Sequence, residues 1–502
     1  MKTIGAAVRE ISRGRLFHLL LPMPLILVHM LWVLAYYLHV SDSGFAYLVN
    51  IGLRAVVAVF FLVLGVVVVG DQRAERSLRW VAASVPAFFV VCFVVAIGNF
   101  GLDPYLRKAA GQFALNALPA YVVGVYCAAN RAGEDLLRGI EQCGLLIAPA
   151  AAIYVLRFFI FTDEIYTADL KRLGGIDYMS FAYGLVAFMV ASCLLLFDER
   201  AARKLLLGRW LLVWTYWLAI VFSQTRGAVL GIAIFLCCLV VAKFRVQKKR
   251  VLLLALSCLL IFVVSLQVLP GLFGERNVRF SKEYTKEALS FSGEVATFIG
   301  EEEGPLPGAA GQDSKLCRTD RPGCRFLLEN QENGVFFDPA KGLCTIDNKE
   351  IARQIVIDEA LYSSLKEAGC TIKLSRMALI VIATEEIKKR LLLGMGPLAF
   401  QVRYFGFHPH SLFVELLAEL GLVLGGLIVC AIGYLTYACL RRSKAMEGDH
   451  NILLFGSAYI PMFLVSGTIW GDALFSFVIG YIVVFFWRTQ QETQSGALGA
   501  VQ

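Results

Sequence analysis

Apolar residues run along this chain in blocks long enough to cross a bilayer, separated by short polar breaks. Crossing about 30 Å of hydrocarbon takes roughly 20 residues of helix. Twelve stretches approach that length, with approximate cores at 16–39, 47–70, 80–101, 113–129, 145–162, 179–197, 205–222, 227–243, 251–270, 411–440, 451–469 and 472–487. A single long polar stretch, about 271–407, separates the ninth from the tenth. The expected fold is therefore an all-α polytopic membrane protein: about twelve transmembrane helices, with one large external loop module between spans nine and ten. The expected parts are spans one to nine in 1–270, the module in 271–407, spans ten to twelve in 408–490 and a tail in 491–502.

Composition agrees with the pattern. With 58% hydrophobic and 17% charged residues over 502 positions, the chain departs from soluble domains, which average about 45–50% apolar and about 25% charged. The net charge of +8 decides little until the charges are placed. Lys2, Arg9, Arg13 and Arg15 precede the first span, which is too long for a signal peptide and lacks a small-residue cleavage site, so it reads as retained. If the N-terminus is cytoplasmic, the segments on that side carry 22 Lys and Arg, and the short segments opposite carry 5 (Arg107, Lys108, Lys171, Arg172 and Arg226). That asymmetry places both termini inside and the module outside, in a periplasm if the membrane is a bacterial inner membrane.

Residues 271–392 hold 17 basic and 19 acidic side chains, which excludes an electrostatic funnel for a polyanion such as nucleic acid. Helical periodicity appears at 349–368 and again at 375–393, and 300–312 reads as a linker. Of thirteen cysteines, nine lie in or beside spans. The other four, Cys317, Cys324, Cys344 and Cys370, fall in the module. Four cysteines in an external segment point to two disulfides, with three pairings open. A zinc site is the rival reading, but no CxxC pair or nearby His supports it.

Three places carry candidate chemistry. Only SQTR (223–226) separates the seventh and eighth apolar runs, which holds Arg226 close to hydrocarbon, an expensive position that marks a functional candidate. Ser223 and Thr225 are N-cap types, and Gly227 leaves room for a ligand at the backbone. A helix start plus a guanidinium makes an anion site; the plainer reading is an Arg snorkelling to lipid headgroups. Second, His408 and His410 stand where the module enters the tenth span, followed by Glu415 and Glu419, spaced to share one helix face. An imidazole there can take a proton from a hydroxyl. Third, Arg376 opens the amphipathic stretch 377–393. Its apolar face (Met377, Leu379, Ile380, Ile382) suits a membrane or bundle surface, with Lys388, Lys389 and Arg390 on a headgroup side.

Together these blocks resemble the O-antigen ligase and polymerase superfamily of bacterial inner membranes. SQTRGAVLG (223–231) is similar to its S-x-S-R-G-A-x-x-G signature. SRMALIVIATEEIKKRLLLGMGPLAF (375–400) resembles its Arg-led helix and glycine turn, HSLFVELLAELGLVLG (410–425) its H-N-x-x-L-x-x-x-x-E-x-G block, and RLGGIDYMSFAYGL (172–185) its R-x-x-G stretch. The chain departs in having Ser411 after the motif His, Ile380 where an aromatic is usual and LLLGMG in the turn. The resemblance implies a glycosyltransferase at the periplasmic face. Its donor is a glycan on undecaprenyl diphosphate and its acceptor the lipid A core, with membrane lipids as surroundings. In that reading Arg226 and Arg376 hold the diphosphate and His410 is the general base. Arg172, Arg403, His408 and Glu419 contact substrate, and neither a metal nor another cofactor is implied.

Two relatives share that donor chemistry: a polymerase using a second lipid-linked repeat as acceptor, and an O-oligosaccharyltransferase acting on protein Ser or Thr. A transporter or flippase is the reading of another class. It predicts related halves and a central loop, whereas the one long loop here follows span nine and no internal repeat is seen.

Overall fold

The computed structural model describes residues 15–27, 30–31, 44–70, 76–160, 178–198, 202–223, 225–273, 325–326, 329, 335–338, 343–346, 351, 354, 358, 360–361, 363–364, 371–374, 376–404, 408–409, 411–443, 447–465 and 470–499. Among them seven helices are long and apolar enough to cross a membrane, and two more, Ile51–Gly65 and Phe181–Leu195, are shorter apolar helices. The protein is a predominantly helical, polytopic membrane protein. It packs as two compact units: Met1–Leu272 with Leu427–Gln502, and Phe273–Gly426.

The first unit opens with α1 (Arg15–Leu20), α2 (Gly44–Gly70), α3 (Arg76–Phe100), α4 (Pro104–Gln112), a π turn (Phe113–Ala117), α5 (Leu118–Asn130), α6 (Gly133–Ile160), α7 (Tyr178–Leu195), α8 (Arg203–Phe222) and α9 (Arg226–Phe273). The second unit contains strands β1 (Val335–Asp338), β2 (Leu343–Ile346) and β3 (Thr371–Leu374), then α10 (Arg376–Lys389), α11 (Ala399–Arg403), α12 (Leu412–Leu420) and a π turn (Gly421–Gly425). The chain then returns to the first unit as α13 (Gly426–Ser443), α14 (Glu447–Ser457), α15 (Ile460–Val465) and α16 (Ala473–Gly499).

Spans eight and nine emerge as one helical run, α9, broken at Gln247 (φ −131°, ψ 49°). Its contacts show that the two arms run in opposite senses. Gly227 lies against Tyr183, near the start of α7, whereas Arg250 Nη1 donates to Leu196 O at the end of α7 (3.2 Å). Beyond the kink Trp214 Nε1 donates to Ser257 Oγ (3.3 Å) and Trp217 Nε1 to Cys258 O (2.8 Å), so the second arm climbs back along α8. Gln247 itself donates through Nε2 to Phe197 O (3.1 Å), so the residue that breaks the helix caps another. Along the first arm Ala228, Ile232, Phe235 and Leu239 are buried, the spacing of one helical face.

The stretch 451–469 departs from an unbroken span: α14 ends at Ser457 and α15 starts at Ile460. Pro461 has no N–H to bond one turn back, so the ladder fails there. α5 and α16 cross closely. A Cβ on Gly124 would fall 2.2 Å from Phe477 O and one on Gly480 2.5 Å from Tyr121 O, so only glycine lets these backbones approach.

In the second unit the module is not purely helical. β1 pairs antiparallel with β2 (Phe337 opposite Cys344), and β2 pairs parallel with β3 (Cys344 opposite Ile372). These strands are a local addition to the helical class: VFFD, LCTI and TIKL are rich in β-branched and aromatic residues, and each is too short to stand out by periodicity. The helical expectation for 349–368 holds at described positions 351, 354, 360, 361, 363 and 364 and fails at Asp358, whose Oδ1 accepts from Leu361 N (3.0 Å). The linker 300–312 lies outside the described residues.

Candidate functional site

The Arg226 end of the first unit is built on Ser223 and Thr225. Ser223 caps the end of α8, and its Oγ donates to Ile220 O (2.6 Å). Thr225 takes the N-cap place of α9: its carbonyl accepts from Ala228 N (3.0 Å) and Val229 N (3.1 Å). Its N–H donates to Ser223 Oγ (3.4 Å), and the two hydroxyls are 3.1 Å apart. Both side chains are buried. The pair thus fixes where α9 begins, and Arg226, its first residue, is exposed. Positive helix end and guanidinium are therefore presented together.

The space at Gly227 is not open to a ligand. A Cβ there would lie 2.0 Å from the Tyr183 hydroxyl, so the glycine admits this phenol, which corrects the ligand-approach expectation. Tyr183 belongs to the block 172–185, and its carbonyl accepts from Tyr459 Oη (3.3 Å) in the break between α14 and α15. Asp472 stands just behind as the cap of α16, accepting from Phe475 N (2.8 Å). Sequence reasoning passed over both tyrosines because phenols at membrane depth look like ordinary aromatic packing. Gly227→Ala is expected to destabilise the protein by about 1–3 kcal/mol through overpacking, and Tyr183→Phe in the same chain should recover part of that loss. Unfolding midpoints of the four proteins in detergent measure the coupling; simple additivity of the two changes excludes the contact.

In the second unit two glycine-containing segments cross backbone to backbone. Met395 N donates to Ala418 O (2.9 Å), Gly396 N to Glu419 O (2.8 Å), Leu422 N to Leu391 O (2.7 Å) and Val423 N to Leu392 O (3.2 Å). Gly394 (φ +70°) and Gly421 (φ +69°) face one another: a Cβ on either would come within 2.5 Å of the other segment's backbone. The helix expected over 377–393 accordingly stops at Lys389, and the chain turns into this crossing. The buried face of α10 is Leu379, Ile382, Ala383 and Glu386, with Lys388 and Arg390 exposed.

Glu415 and Glu419 do share one face of α12, and both are fully buried. Glu419 Oε2 accepts from Leu398 N (2.9 Å), at a left-handed residue that precedes α11. Glu415 Oε1 accepts from Gln401 Nε2 (3.1 Å), inside α11. The two carboxylates thus hold α11 at its start and at its midpoint. α11 ends in Arg403, which is exposed, and Tyr404, which is buried. Burial and a hydrogen bond to Glu386 push the Tyr404 hydroxyl well above its usual pKa. Glu386 also takes a salt bridge from Lys389 Nζ (2.6 Å).

The remaining candidates are placed as follows. Arg376 is the first residue of α10 and His408 is half-buried before α12, with Ser411 buried at the N-cap. His410, Arg172, Cys317, Cys324 and Cys370 lie outside the described residues; Cys344 lies on β2. Arg226 belongs to one unit, and Arg376, Arg403, His408 and Glu419 to the other. Among the described residues no group of three or more His, Cys, Asp or Glu is arranged to hold a metal ion. Comparison with protein-family models, with curated proteins and with solved structures found no match.

Proposed function

We propose that the chain is a glycosyltransferase that moves a glycan from undecaprenyl diphosphate onto the lipid A core at the periplasmic face of a bacterial inner membrane. The observation that carries this reading is the pairing of the four family-like blocks. Tyr183 of the first lies against Gly227 of the second, and Gly394 of the third crosses Gly421 of the fourth. Residues that are unremarkable singly thus form two local structures, each carrying an arginine at a helix start, Arg226 on α9 and Arg376 on α10.

In the proposed reaction the acceptor hydroxyl attacks the anomeric carbon as the bond from that carbon to the diphosphate oxygen breaks. His410 takes the hydroxyl proton as general base, and the lipid diphosphate leaves. Negative charge grows on the leaving group, where the Arg226 and Arg376 guanidinium groups offer forked, charge-assisted donors. Displacement from the opposite side inverts the configuration at the anomeric carbon. Arg403 and His408 are proposed to contact substrate, on a segment steadied by Glu415 and Glu419.

The test is a lipopolysaccharide gel of a deletion strain carrying the intact gene or its His410→Ala form. Core lacking polysaccharide in the deletion, restored by the intact gene and not by His410→Ala, is the expected result. Core bearing a single repeat assigns the polymerase instead, and an unchanged ladder removes the lipid A core as acceptor.

A further inference from the structure

The backbone crossing in the second unit leaves an apolar surface outside the proposed site. Leu391, Leu392 and Leu393 are 48, 61 and 81% exposed, and Leu422, Val423 and Leu424, on the segment bonded to them, are 51, 51 and 43% exposed. Six large apolar side chains are thus exposed on two hydrogen-bonded segments, and an exposed apolar surface of that size has a partner. Just before it come Lys388, Lys389 and Arg390, all exposed.

Three observations identify the partner as lipid. The first is backbone satisfaction: Leu391 O and Leu392 O accept from Leu422 N and Val423 N (2.7 and 3.2 Å), donors at the start of the π turn. An irregular loop enters hydrocarbon only when such groups are bonded internally. The second is position. Leu422–Leu424 belong to the apolar run Leu412–Arg442, 31 residues long, or about 46 Å at helical rise. That exceeds about 30 Å of hydrocarbon, so part of the run stands outside it. The part carrying the buried carboxylates Glu415 and Glu419 is the first nine residues, α12. The stretch after Gly421 is then the membrane-embedded part, with Leu422–Leu424 at its entry. The third is charge: a basic triplet beside an exposed apolar tip matches anionic headgroups over acyl chains.

We propose that Leu391–Leu393, pinned to Leu422–Leu424, form a re-entrant anchor that dips into the bilayer hydrocarbon, with Lys388, Lys389 and Arg390 in the phosphate layer above. The anchor sets the height of the turn 394–398 and of α11 relative to the headgroups. It holds whichever acceptor, or whichever reaction, the chain serves.

The test places the photoreactive residue p-benzoylphenylalanine at Leu392 of the full-length protein, reconstituted in vesicles of phosphatidylethanolamine and phosphatidylglycerol. The same residue at Asp358, an exposed position in the module, is the reference. Irradiation followed by mass spectrometry is expected to give acyl-chain adducts at Leu392 in about tenfold or greater excess over Asp358, since only the former meets hydrocarbon. Adducts confined to protein, a second copy of this chain included, or a lipid yield equal to that at Asp358, overturn the proposal. Hydroxyl-radical footprinting of the unsubstituted protein in the same vesicles checks it without a mutation. Protection of Leu391–Leu393 is expected, and oxidation at the level of water-exposed leucines overturns it.

Discussion

Gly421→Ala is expected to destabilise the second unit by about 2–6 kcal/mol, the sum of two separate penalties. The first is conformational: Gly421 has φ 69° and ψ 179°, a region open essentially to glycine alone, at about 1–3 kcal/mol for another residue. The second is steric. The added Cβ would sit 2.3 Å from Leu392 O and 2.5 Å from Gly394 N, backbone atoms that cannot swing aside, for about 1–3 kcal/mol more. Because Leu422 and Val423 donate to Leu391 and Leu392 across this contact, the strain reaches the turn that α11 hangs from. Gly426→Ala, five residues on, is the matched control. Gly426 has ordinary helical φ −63°, and its nearest neighbour for a Cβ is the Leu422 side chain at 3.5 Å. Helix propensity favours alanine there by about 0.8–1 kcal/mol. Thermal unfolding in detergent should therefore separate the two variants in opposite directions from the parent. A Gly421→Ala protein as stable as Gly426→Ala excludes the crossing.

The membrane class of this fold was legible because its signal is long. A run of some 20 apolar residues states its own element and length, and most of the expected spans coincide with helices found. Local breaks were less legible. The kink at Gln247 coincides with a cluster of Lys and Arg that was visible in the sequence, but the interruption after Ser457 was masked by the apolar residues around Pro461. The three strands, four residues each, are recognisable only through one another, since a strand that short gains its stability from its partner. At the site, the sequence showed that a carboxylate at Glu419 inside an apolar run needs a reason. It did not show the reason: the partner, Leu398 N, is 21 residues away and is presented by a left-handed backbone. Gly227 was likewise marked as a point of close approach, and the approaching group, Tyr183, comes from another helix entirely. Chemistry was legible residue by residue, while the pairing of residues depended on packing.

Arg209→Ala is expected to cost about 3–5 kcal/mol, because it leaves the Glu141 carboxylate buried without its partner. The pair is forked: Arg209 Nε donates to Glu141 Oε1 (2.7 Å) and Nη2 to Oε2 (3.1 Å), while Nη1 donates to Leu195 O (2.7 Å) at the end of α7. Their side chains are 4% and 10% exposed. In a polytopic protein such a pair has two readings, a charge that moves during transport or a clamp that does not. The geometry favours the clamp, since one guanidinium joins α6, α7 and α8 through three directed bonds. Substituting Arg209→Met together with Glu141→Leu separates the readings. Removing both charges also removes the stranded carboxylate, so the double variant should lose only about 1–3 kcal/mol for the unpaired Leu195 carbonyl. It should therefore unfold later than Arg209→Ala alone. Arg209→Lys should fall between, because an ammonium cannot reproduce the fork. With a clamp, the glycan ladder expected on the proposed function survives in the double variant wherever the protein still folds. A double variant that folds like the parent yet yields no ladder instead assigns the pair a working role, and brings the transporter reading forward.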